Sequence, residues 1–182
     1  MAFRDSWHRA LVYFGLAEDH DYGPEQAAFH AGLMDRFPNV RWGFLEGGVA
    51  WVMTVLERFQ GSYEAFMPIN TRGDLIQLPP GERMRDYLRR QFQSGRLFVG
   101  CEGDEPAIVT VAKEIGPNAL IFSSDFPHEV NNDSCREEIE ELIENPDLDD
   151  AAKAGILHAN AERFYGLQPV AAGTADKVGA AS

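Results

Sequence analysis

The chain has 182 residues, 45% of them hydrophobic and 25% charged, the balance of a soluble globular protein of one domain. Twelve Phe, three Trp and five Tyr supply enough apolar surface to exclude disorder throughout. Sixteen basic against 29 acidic residues leave a net charge of −13, which repels phosphate backbones and anionic lipid and so excludes nucleic acid and membrane surfaces as partners.

No apolar run approaches the ~20 residues needed to span a bilayer. The opening Met1-Ala2-Phe3-Arg4-Asp5-Ser6-Trp7-His8 lacks the apolar core and cleavage site of a secretion signal. Two cysteines make no disulfide framework, so the expected setting is the cytosol, with reduced thiols.

Residues 24–37 read as the first helix, with Pro24 in its first turn and a stripe of Phe29, Leu33 and Phe37. Pro38-Asn39 breaks it, and residues 40–46 form an apolar strand that ends at Glu46 before the Gly47-Gly48 turn. Val52, Val55, Leu56 and Phe59 mark a second helix. Residues 61–81, with Pro68, Pro79, Pro80 and Gly81, read as an irregular, substrate-facing connection. The next helix, Met84 to Phe92, carries the one basic cluster, Arg83, Arg85, Arg89 and Arg90, expected as a solvated face.

Residues 97–102 form the second strand, ending at Glu102, and Pro106 opens a helix through Val109, Ala112 and Ile115. After the Gly116-Pro117-Asn118 turn, residues 119–125 form a third strand, ending at Asp125. Two amphipathic helices follow Pro127. The first carries Ile139, Leu142 and Ile143 beneath a solvated acidic face that runs from Glu137 to Glu144. The second buries Ile156, Leu157 and Phe164 and ends at Gly166. Asn160 shares that last stripe, and a buried amide needs partners, so it is expected to bond backbone near the third strand. Residues 168–182, small and polar, read as a disordered tail behind one domain, 1–167.

Continuously apolar strands that alternate with helices are the mark of a parallel sheet built from βα units. No Gly-rich phosphate loop is present, so nucleotide binding has no support. Ligand sites in such folds lie at the carboxyl ends of the strands, and all three strands end in an acid: Glu46, Glu102 and Asp125. With His128 three residues beyond, this edge suits a divalent metal or proton transfer. The competing explanation is that the acids cap the helices that follow them; it weighs equally for Glu102 and less for Asp125. His30 reads as a helix-surface or structural residue, while His8 and His20 fall in an ill-defined segment. No H-x-H, H-x-x-x-H or C-x-x-C pair exists, and Cys101 reads as a small core residue.

Four segments carry a family resemblance. They are Phe37-Pro38-Asn39-Val40-Arg41 running into Phe44-Leu45-Glu46-Gly47-Gly48-Val49-Ala50-Trp51; Cys101-Glu102-Gly103-Asp104-Glu105; Ser123-Ser124-Asp125-Phe126-Pro127-His128; and Asn160-Ala161-Glu162-Arg163-Phe164-Tyr165-Gly166-Leu167. In this order they resemble amidohydrolase-related proteins of the aminocarboxymuconate-semialdehyde decarboxylase type. The resemblance implies strands six to eight of a metal-dependent (β/α)₈ barrel, with the H-x-H strand and strand-five histidine of the family absent. The chain is thus expected to be a carboxyl-terminal half that pairs with a missing amino-terminal half or forms a homo-oligomer.

The resemblance further implies that Asp125 is a metal ligand, of zinc, and handles the proton of metal-bound water in the hydrolases. Many members carry His-Gly-Gly where this chain has Glu46-Gly47-Gly48, and a carboxylate cannot act as an imidazolium. Hydrolysis of an amide, ester or C–C bond in a small organic acid therefore ranks above decarboxylation. Asp125 and Glu46 are the acid/base residues, and His128 either supports a metal ligand from behind or faces the substrate. A non-catalytic half-barrel without metal is the rival.

Overall fold

A computed structural model describes Phe29, residues 31–45, 47–70, Gly73, residues 75–126, His128 and residues 130–167. His8, His20, His30, Glu46 and the tail expected at 168–182 lie outside the described residues.

Three strands, β1 (Trp42–Phe44), β2 (Leu97–Cys101) and β3 (Leu120–Phe122), form one parallel sheet in the order β1-β2-β3. Trp42 pairs with Leu97, Val99 with Leu120 and Cys101 with Phe122. The expected adjacency and direction are present, in strands shorter than the apolar runs. The Val40 N–H turns back to the Phe37 carbonyl, so pairing of β1 begins only at Trp42.

All five residues of β2 are buried. Leu97, Val99 and Cys101 join the helical core, whereas Phe98 meets the Phe164 ring at 5.2 Å, as period-two alternation requires. Gly43, the partner of Phe98, lies so close that a Cβ there would sit 2.9 Å from that ring. This close approach is why β1 carries glycine at its centre.

The helices build the other layer. Gly32, at φ +62°, starts α1 (Leu33–Arg36) only after a left-handed residue. The stripe thereby shifts: Met34 is buried, Leu33 half-buried and Phe37 48% exposed, against the expected run of Phe29, Leu33 and Phe37. Phe29 is buried, with its ring 5.6 Å from those of Phe44 and Phe59.

α2 (Ala50–Phe66) buries Val52, Val55, Leu56 and Phe59 as expected. It then runs on through the stretch read as irregular, and a 3₁₀ turn (Met67–Ile69) follows. Two side chains of its second half hold the chain that returns from it. Gln60 Oε1 accepts the Met84 N–H at 2.7 Å, and the Tyr63 hydroxyl accepts the Leu78 N–H at 3.2 Å. Gly61 is exposed, and nothing lies within 4 Å of a Cβ built there. Gly61→Ala is therefore expected to stabilise the chain by about 0.5–1 kcal/mol, read as a rise in the midpoint of a urea melt. An unchanged or lower midpoint would show that α2 does not extend past it.

α3 (Met84–Gln93) buries Met84, Tyr87, Leu88, Gln91 and Phe92. Its arginines are not merely solvated: Arg85 and Arg89 converge on Glu114 of α4 (Ile108–Ile115), and Arg90 pairs with Glu82. Arg89 and then Arg85 hold the Glu114 carboxyl below its ordinary range. In α4 the core residues are Ile108, Val111, Ala112 and Ile115, with Val109 only half-buried.

α5 (Asn132–Glu144) opens on a capping box between Asn131 and Ser134. Leu142 is buried and Ile143, expected beside it, is 50% exposed, because adjacent helical residues point ~100° apart. The last helix is continuous but irregular: α6 (Asp150–Ala154), one π turn (Gly155–Ala159) and α7 (Asn160–Tyr165). Asn160 is fully buried, and its amide donates to the Leu120 carbonyl at 2.7 Å and the Pro117 carbonyl at 2.9 Å. This is the contact with the third strand that the stripe implied. No helix of the described residues is long and apolar enough to cross a membrane.

Candidate active site

The carboxyl ends of β2 and β3 bring Glu102 and Asp125 to one edge of the sheet. The Ser123 N–H donates to the Cys101 carbonyl at 2.9 Å, which extends the pairing by one step beyond β3. Together with Gly48, Glu105 and Ser123, the two acids line a small, open cleft.

Asp125 has φ 53°, the one non-glycine residue at positive φ among the described residues. Left-handed backbone is uncommon for a side chain with a Cβ, and Asp and Asn tolerate it best. Such strain gathers at functional sites. The turn it makes returns the His128 N–H to the Asp125 carbonyl at 3.0 Å. His128 itself is exposed.

The edge is a place of uncompensated negative charge. Burial first, then the carboxylates of Glu105, Asp104 and Asp125, push the Glu102 carboxyl up from its ordinary value. Glu138 of α5 is pushed up likewise, by burial and by Glu102 and Asp104. The acidic run of α5 is therefore not a solvated face throughout. Burial raises the Cys101 thiol to about 12, which leaves it a core residue and no nucleophile.

Glu102 does not cap the helix after it; the residue before α4 is Ala107, without a side-chain cap. The acid that binds backbone is Glu105, whose oxygens accept the N–H of Val49 at 2.6 Å and of Glu102 at 2.9 Å. The sequence offered no signal for this pairing beyond a carboxylate near a turn, because Val49 lies on the preceding βα unit.

Carboxylates at a strand edge suit a hard divalent cation, and the mutual repulsion at Glu102 is what a cation relieves. Among the described residues, however, no three His, Cys, Asp or Glu side chains converge as a ligand set. Of the residues at this edge, Asp125 offers one carboxylate, short of the set of about three protein ligands in a catalytic metal site.

A parallel βα sheet with acids gathered at its carboxyl edge defines a protein of the α/β class, in which ligand sites lie at the strand ends. The family model for amidohydrolases matches residues 17–167, and the chain belongs to that family. No curated protein matches it.

Solved structures share its fold at low identity. The 5-carboxyvanillate decarboxylase of Sphingomonas paucimobilis is similar at TM-score 0.60 and 19% identity, over 90% of this chain and 46% of that one. An amidohydrolase of Mycobacterium avium subsp. paratuberculosis K-10 is similar at TM-score 0.59 and 17% identity, over 90% and 40%. The dihydroxybenzoic acid decarboxylase of Polaromonas sp. JS666, solved with manganese and 2-nitroresorcinol, gives TM-score 0.50 and 17% identity, over 91% and 46%. The chain thus spans less than half the length of each of these proteins.

Proposed function

We propose that the chain forms strands six to eight of a metal-dependent (β/α)₈ barrel, and that its reaction is non-oxidative decarboxylation of a small, aromatic organic acid. The observation that carries this reading is the carboxyl edge itself: Asp125 in left-handed backbone beside Glu102, an acid held toward its protonated form. In decarboxylation the C–CO₂ bond breaks, CO₂ leaves, and the electron pair left on carbon must take up a proton. A carboxyl group beside other carboxylates, which raise its hold on a proton, suits the delivery of that proton. Two similar solved structures are decarboxylases of aromatic acids, which supports this reaction over the hydrolysis ranked first from Glu46.

Asp125 would hold the metal, and Glu102 would deliver the proton. Glu46 serves as a further acid/base, and the exposed His128 meets substrate at the rim. A divalent ion bound there, zinc or manganese, neutralises the anionic oxygens of the substrate and fixes their orientation. The remaining donors come from a companion segment, in the same polypeptide or in a partner, and the setting is the cytosol.

Metal analysis and product analysis test this together. The 182-residue chain alone is expected to hold much less than one metal per molecule, since catalytic sites use about three protein ligands. Completed with the companion half of a barrel, it should hold close to one and release CO₂ from hydroxylated aromatic acids. Ester or amide cleavage without CO₂ release would return hydrolysis to first place. A tightly held, stoichiometric metal in the short chain would overturn the need for outside donors.

A further inference from the structure

Glu105, in the turn between β2 and α4, makes a contact that neither the following helix nor the proposed chemistry requires. Its two carboxylate oxygens are used separately: one accepts the Val49 N–H at 2.6 Å, the other the Glu102 N–H at 2.9 Å. Val49 is the residue before α2, in the turn after β1, and Glu102 follows β2. The first N–H groups of a helix lack intrahelical partners and favour an anion, so α2 gains its cap from a residue 56 positions away.

Gly48 is shaped to this contact. Its φ of +61° is open to glycine, and a Cβ there would sit 2.8 Å from the nearer Glu105 oxygen. The turn therefore lacks a side chain where the carboxylate enters. A charged acceptor that takes two N–H donors makes short, strong bonds, and no neutral side chain offers two equivalent oxygens at this spacing.

We propose that Glu105 is a positioning residue, which ties the turn after β1 to the end of β2 and so fixes the spacing of the groups around the Glu102–Asp125 cleft. What this positioning serves rests on the metal-binding reading above, whereas the tie itself does not.

The test uses the 182-residue chain, isotopically labelled, as wild type, Glu105→Gln and Glu105→Asp. Gln keeps the size but offers one acceptor oxygen; Asp keeps the charge but is one methylene shorter. In both variants at least one of the Val49 and Glu102 amides should exchange with solvent about tenfold faster, with the rest of α2 and β2 unchanged. The nuclear Overhauser contact between the turn at Gly48–Val49 and Glu102 should weaken with it. Manganese chloride should broaden the Glu102 and Asp125 amides of the wild type, and about tenfold more should be needed in the variants, as for residues that orient metal ligands.

Unchanged exchange of both amides overturns the proposal. So does faster exchange in the variants when the wild type responds to manganese and the variants respond at the same concentration. A rise in exchange throughout α2 and β2, with a fallen melting midpoint, would mark Glu105 as a merely structural residue. A wild type blind to manganese, with the exchange and Overhauser changes as expected, ends the metal reading and leaves the tie established.

Discussion

Asp125→Asn is expected to lower turnover of the completed enzyme by about 10²–10⁴-fold, the range of a lost proton-transfer or metal-binding group, while leaving the fold intact. The separation of these two effects comes from the backbone. At φ 53° Asn is accepted nearly as well as Asp, because its short polar side chain tolerates the left-handed region. Asp125→Ala should also lose function and in addition cost about 1–2 kcal/mol of stability, since Ala has no such tolerance. Asp125→Gly should lose function yet match or exceed the wild type in stability, with the Cβ strain relieved. Thermal melts beside metal titration and CO₂ release read both quantities. Full turnover in Asp125→Asn would remove Asp125 from the site; the stability order Ala above Gly would remove the strain.

The parts of this edge that were legible in the sequence are those that local pattern dictates. The apolar run at 97–101 could only be a strand buried on both faces, and β2 is one. Acids at strand ends followed from the same reading, and Glu102 and Asp125 do share the cleft. Glu46, from which hydrolysis was ranked first, lies outside the described residues.

What escaped the sequence depends on distance along the chain. A carboxylate just before a helix reads as a cap for that helix, and nothing local says that Glu105 reaches Val49 instead. The length of α2 was hidden because glycine in a helix costs only about 1 kcal/mol, which bonds from Gln60 and Tyr63 to later residues offset. Arg85 and Arg89 looked solvated because their partner, Glu114, lies on another helix. Glu138 looked solvated for the same reason, its neighbours being Glu102 and Asp104.

Asn160→Ala is expected to be among the most destabilising single changes in the chain. The Asn160 amide nitrogen donates to two backbone carbonyls, those of Pro117 and Leu120, and its oxygen accepts from Arg163 at 3.0 Å. Ala would strand the buried Leu120 carbonyl, at about 1–3 kcal/mol, and would take one of two donors from the Pro117 carbonyl, which also accepts the Leu120 N–H. The expected loss of about 2–4 kcal/mol is a large share of the ~5–15 kcal/mol that holds a domain folded. It should lower the melting midpoint by roughly 2–4 °C per kcal/mol. Asn160→Asp should be worse, because it turns the only donor into a charge that faces two carbonyl oxygens. Leu120 begins the strand that leads to Asp125, so partial unfolding here would loosen the Glu102–Asp125 edge before the helical core. Urea melts decide the matter: a lower midpoint with an unchanged slope is the expected result. A loss below about 1 kcal/mol would mean that the Leu120 carbonyl finds another donor, and that α7 is not pinned to β3 through this amide.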